Sequence, residues 1–169
     1  MCHDRGMPRY VLIRELWSLS EAFTVRDAES DRECFRVRGK ALEVGDKLSL
    51  EDPGGNELAF IRQGLHLGVQ GFCYEISQGG QLAARVDLSS RLRQHLLIET
   101  PDPGSFAADG DIHGMDYQIS RDGQPAANVS TRGTPDDRFY SVDVAAGQDP
   151  VFILALAVTI ETIHQEQDG

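Results

Sequence analysis

The stretch from Asp149 to Gln165, DPVFILALAVTIETIHQ, constrains the fold of this chain more than any other segment. Asp149 can accept hydrogen bonds from the first free backbone N–H groups of a helix. Pro150 suits the first helical position, where a missing N–H costs nothing. From Val151 to Ile160, only Thr159 is not apolar. A surface helix carries one apolar face and one polar face, whereas a helix that is apolar all round is buried on every side. The run is too short for a bilayer, which needs about 20 apolar residues. The rest of the chain must therefore wrap around it.

That remainder reads as short strands and tight turns. Phe23-Thr24-Val25-Arg26 and Phe35-Arg36-Val37-Arg38 alternate with period two. Asp52-Pro53-Gly54-Gly55-Asn56, Gln78-Gly79-Gly80-Gln81 and Asp122-Gly123 carry turn chemistry. The hairpins also echo one another. Leu48–Ile61 aligns with Cys73–Val86 at an offset of 25, and Tyr74–Val86 aligns with Tyr117–Val129 at an offset of 43. Phe23–Val37 follows the same plan more loosely. Repeated hairpins build a meander or a closed barrel in which each unit needs its neighbours. The period-two criterion gives about twelve strands. An eight-stranded barrel is filled by its own side chains, and a helix about 10–12 Å across needs a wider lumen. The expected fold is mainly β, a closed, roughly twelve-stranded antiparallel barrel around a central buried C-terminal helix.

The run from Arg9 to Glu166 resembles the LURP-one-related family. The resembling words are RYVLIREL, FTVRDAES, LSLEDPGGNELAFIRQG, CYEISQGGQLAARV, GDIHGMDYQISRDGQPAANVS and FYSVDVAAGQDPVFILALAVTIETI. The family's fold is similar to that of tubby C-terminal domains and phospholipid scramblases. The resemblance implies a twelve-stranded barrel around a hydrophobic helix, no catalytic residues, and relatives that bind or move phospholipids. Where the family often carries lysine between hairpins, this chain has Gln63, Asp87 and Ser89. The expected organisation is a short extension over 1–8 and one tubby-like domain over 9–166, with its helix at 150–165.

Charge and cysteine content narrow the possible partners. The net charge of -11 argues against nucleic acid and anionic membrane surfaces, which need clustered cations. Peripheral lipid contact is disfavoured on the same ground. Cys2, Cys34 and Cys73 show no metal-ligand spacing and read as three free thiols in a reducing compartment. The N-terminus lacks an apolar signal core, so a cytoplasmic location is expected, with no transmembrane segment.

Candidate sites are sparse. Arg36, Arg38 and Lys40 project from one face of a strand, and Arg26 falls on the same outer face of the strand before it. Four cations there are a candidate patch for a phosphate headgroup, set against neutralisation by Glu29, Asp31 and Glu33. Asp109-Gly110-Asp111-Ile112-His113-Gly114 partly matches a calcium loop, but Ser120 stands where a bidentate Glu is needed. The expectation there is a strand end running into a turn, with no metal. His3, His66, His95, His113 and His164 form no i, i+4 pair, and Gly64, Gly68 and Gly71 make no dinucleotide motif. No catalytic residue and no cofactor are expected. The functional expectation is a non-catalytic binding or regulatory module. The alternatives are a phospholipid or phosphoinositide binding or handling protein, and an enzyme with a site at a barrel mouth.

Overall fold

A computed structural model describes residues 7–15, 21–39, 47–65, 72–87, 95–101, 104–112, 114–136 and 138–168. Twelve strands run in order: β1 (Arg9–Arg14), β2 (Glu21–Asp27), β3 (Glu33–Gly39), β4 (Lys47–Glu51), β5 (Glu57–Leu65), β6 (Phe72–Gln78), β7 (Gln81–Asp87), β8 (His95–Glu99), β9 (Phe106–Asp111), β10 (Asp116–Arg121), β11 (Gln124–Ser130) and β12 (Phe139–Val144). Each pairs antiparallel with its neighbours in sequence, and β1 closes on β12, so the sheet is a closed twelve-stranded barrel. One helix, α1 (Pro150–Asp168), follows. It runs three residues beyond the expected end at 165, because no glycine or proline interrupts the chain before Gly169.

The alternation of strand direction sorts the connections. Residues 28–32, 52–56, 79–80 and 122–123 join strands at one mouth, here the proximal mouth, where residues 145–149 lead from β12 into α1. The opposite mouth, toward which α1 runs, is here the distal mouth, where β1 ends and β10 and β12 begin. Two of the proximal turns have only two residues. Gly79 (φ 59) and Gly80 (φ 78), like Asp122 (φ 50) and Gly123 (φ 79), both adopt positive φ. That is the type I′ geometry whose twist matches the strands.

The internal echo has a structural counterpart. In four hairpins the register slips beside the proximal turn, leaving Cys34, Leu58, Ala83 and Ala126 as the extra residue of a bulge. Leu58, Ala83 and Ala126 are spaced by the same 25 and 43 residues as the sequence match. A bulge bends its strand and increases local twist, which suits a sheet that must curl shut. It also explains Pro125 inside β11, since proline is tolerated at such an irregularity.

The helix starts as expected. The Val151 N–H donates to Asp149 Oδ1 at 3.0 Å, and Asp149 Oδ2 accepts from Gln78 on the barrel rim at 3.2 Å. Every residue from Ile153 to Ile160 has no exposed surface. Thr159, the lone polar residue of that run, donates to Ala155 O at 2.7 Å and so leaves no unmet donor. The inward strand positions that enclose α1 include Leu12, Val25, Val37, Ile61, Ile76, Val86, Ile119, Val129 and Val142, together with Tyr10, Tyr74, Tyr117 and Tyr140. Cys34 and Cys73 are buried in β3 and β6. Cys73 is a free thiol, but Cys34 is disulfide-bonded, which corrects the expectation of three free thiols. Cys2 lies outside the described residues.

Candidate functional site

The pairing of β2 with β3 decides the fate of the cationic stripe. Thr24 faces Arg36, and Glu21 faces Arg38. Arg26, Arg36 and Arg38 thus share the outer face, as the alternation predicts. Each also meets an acid. Arg36 Nε pairs with Glu33. Arg38 Nε lies 3.2 Å from Glu51. Arg26 donates to Asp31 O at 3.0 Å, 3.9 Å from that residue's carboxylate. The hydrogen bond from Arg36 holds the Glu33 carboxyl below its usual range against the opposing effect of burial, and the charges of Arg36 and Arg26 add to it. Glu33 therefore stays ionised and screens both arginines. Of the acids foreseen as neutralising, Asp31 and Glu33 do so. Glu29 has no ion pair here among the described contacts, and Glu51 from β4 takes that part. Lys40 lies outside the described residues.

Asp109, Gly110 and Asp111 form the end of β9, and Ile112 and Gly114 lie in the turn that follows. Asp111 Oδ1 accepts from the Gly114 N–H at 2.8 Å, so this carboxylate organises the turn. The glycines are needed by the backbone. Gly110 adopts φ 130, and a Cβ there would lie 3.0 Å from Asp116 O and Tyr117 Cα on the neighbouring strand. Among the described residues, no three His, Cys, Asp or Glu side chains gather as metal ligands. His113 lies outside the described residues, as do His3 and His66 and the side chains of His95 and His164.

Two concavities escape sequence reasoning, because each is assembled from strands distant in the chain. One is a cleft of about 420 Å³ at the proximal mouth, beside the first turn of α1. Phe35, Pro53, Leu58, Pro150 and Val151 give it apolar walls, and Arg32, Glu33 and Asp149 stand at its margin. The other is an outer groove of about 480 Å³ over β5, β6 and β7. Glu75 there lies between Arg62 at 3.1 Å and Arg85 at 3.2 Å. Burial would push the Glu75 carboxyl up, but hydrogen bonds from the two guanidinium groups outweigh it and hold it low. The only hint of the first cleft in the sequence is the presence of apolar residues at or beside the turns, such as Pro53 and Leu58.

A twelve-stranded meander closed around its own C-terminal helix, with outer arginines matched to acids, defines a plugged β-barrel. The chain belongs to the LURP-one-related family, whose sequence model matches residues 9–161. It is similar to the Bacillus subtilis (strain 168) protein YxjI, described as uncharacterised. The two are 23% identical over 156 residues, covering 92% of this chain and 93% of that one. An X-ray structure of an Arabidopsis thaliana protein has the same fold, with a TM-score of 0.70 at 18% identity. It covers 94% of this chain and 91% of its own. Among the described residues, no helix is long and apolar enough to cross a membrane.

Proposed function

We propose that this chain is a non-catalytic, tubby-like binding or regulatory module whose ligand contact is the cleft at the proximal mouth. The observation that carries this reading is the filled lumen. The interior of a barrel is the usual place for a small ligand, and here α1 occupies it with residues of zero exposure. Ligand contact is thereby shifted to the rim. The apolar walls and charged margin of the cleft suit a ligand with an apolar body and a polar end.

Titration with the neutral apolar dye Nile red tests this. Saturable binding at one dye per chain is expected, weakened at least tenfold by Leu58→Asp without loss of the melting transition. If the dye shows no saturable binding, or binding indifferent to Leu58, the cleft is not the contact. The alternative of phospholipid or phosphoinositide handling would rest on Arg26, Arg36, Arg38 and Lys40. The acids facing three of these, and the net charge of -11, weigh against it. Firm co-sedimentation with phosphoinositide vesicles at physiological salt, lost when Arg36 and Arg38 become Glu, would put that reading first.

A further inference from the structure

Near the distal mouth a polar cluster interrupts the apolar lumen. Glu161 on α1, about 17 Å along the axis from Pro150, is only 3% exposed. Among the described residues it is the one charged residue so deeply enclosed. Arg14, at the end of β1, continues the inward series of Tyr10 and Leu12. Its Nη1 donates to Glu161 Oε1 at 3.3 Å. Tyr140 enters from β12, opposite Leu12, and Tyr117 from the start of β10. Burial pushes both phenols up, and the Glu161 carboxylate pushes both further. Tyr140 also senses Tyr117 and Arg14. The register agrees: Tyr117 faces Val129 of β11, Val129 faces Val142 of β12, and Tyr140 faces Leu12, so these side chains project inward from neighbouring strands near one end of the barrel.

Three atoms in that region have no protein partner: Arg14 Nε and the hydroxyls of Tyr117 and Tyr140. Buried polar atoms are rarely left so. Three dry groups would cost a large share of a domain's net stability. Phenylalanine at either tyrosine position would pack the same ring without that cost. The donor inventory states what would satisfy them. Arg14 Nε only donates, a phenol donates and accepts, and a carboxylate only accepts. A fitting guest accepts from the arginine and donates toward a phenol or the carboxylate. It is also neutral, because Arg14 and Glu161 already match in charge, so an added ion would face a buried like charge. The Arg14 side chain, 28% exposed, links this interior to the rim.

We propose that Arg14, Tyr117, Tyr140 and Glu161 form an internal site for a small neutral guest that both donates and accepts hydrogen bonds, either water or the hydroxyl or amide head of a small ligand. The site lies at the opposite mouth from the apolar cleft and does not depend on it.

Tyr117→Phe and Tyr140→Phe in the full chain test the proposal, each compared with wild type by urea unfolding. With a guest in place, each substitution breaks a made hydrogen bond, and the unfolding equilibrium constant rises roughly tenfold. With no guest, each removes an orphaned hydroxyl, and the constant stays level or falls, which overturns the proposal. A high-resolution crystal structure of the wild type supplies the second reading. Density bridging both phenols and Arg14 Nε is expected, whereas phenols bonded directly to Glu161 with nothing between them would refute the site. Native mass spectrometry separates the two sources: the bare chain mass means water, and an added mass means a small ligand.

Discussion

Leu156 lies mid-helix with zero exposure, and its truncation to alanine probes the threaded barrel directly. The substitution removes three carbon atoms from the centre of the lumen. A Leu→Ala change in a core costs about 2–5 kcal/mol, and the amount depends on how far the surroundings collapse into the space. Here they are held back. The wall is a hydrogen-bonded ladder closed on itself, so no strand can move inward without disturbing its two neighbours. The upper half of that range is therefore expected, about 3–5 kcal/mol. For a domain of this length each kcal/mol lowers Tm by roughly 2–4 °C, so calorimetry should register a fall of about 6–20 °C. Leu156→Asp would bury an unpaired carboxylate at several kcal/mol, comparable to a typical total stability of about 5–15 kcal/mol, and should yield no soluble folded protein. A loss below about 1 kcal/mol for the alanine variant, the size of a surface effect, would mean that α1 is not enclosed. So would cooperative folding of the aspartate variant.

Two further perturbations test the same architecture from other sides. Ending the chain at Gly147 withdraws Ile153, Leu154, Leu156, Val158, Ile160 and Ile163, whose burial contributes about 1.5–3 kcal/mol each. Far-ultraviolet circular dichroism should then show no sharp melting transition, and a fragment that melts cooperatively would make the helix peripheral. Stability should also fall in acid. The folded carboxyls of Glu33, Glu75 and Asp52 sit below their ordinary values of 4.5, 4.5 and 3.8, so the unfolded chain binds more protons there. Their contribution is complete above those values and disappears as pH falls through the lowered ones. Urea midpoints that stay constant from pH 6 to pH 3 would contradict this.

The helix and the hairpins were legible because each has a periodic apolar pattern bounded by capping or turn residues. The cap at Asp149 and the turns at Gly79-Gly80 and Asp122-Gly123 stand where the sequence places them. The bulges were present only in disguise, as a hairpin echo at offsets of 25 and 43, since register slips leave no composition of their own. Arg26, Arg36 and Arg38 were rightly placed on one face, but the part of Glu51 was hidden because it depends on the register of β3 against β4. The ion pair of Arg14 with Glu161 spans 147 residues, and neither residue belongs to any local motif. The disulfide at Cys34 was missed because a light, odd number of cysteines carries no pairing signal.

Because β1 closes on β12, and α1 follows β12, the two ends of the domain finish the structure together. Each hairpin can form early and locally, within microseconds of its residues becoming available. The seam is different: Arg9 meets Asp143 across 134 residues, and such distant closure is slow. While the domain is being synthesised, its chain must pass through a curled, open sheet with an apolar concave side and two bare strand edges, a form prone to aggregation. The plug that ends this exposure emerges only after all twelve strands. Substitutions that slow translation near Asp149 should therefore lower the yield of folded protein even when the finished barrel is unchanged.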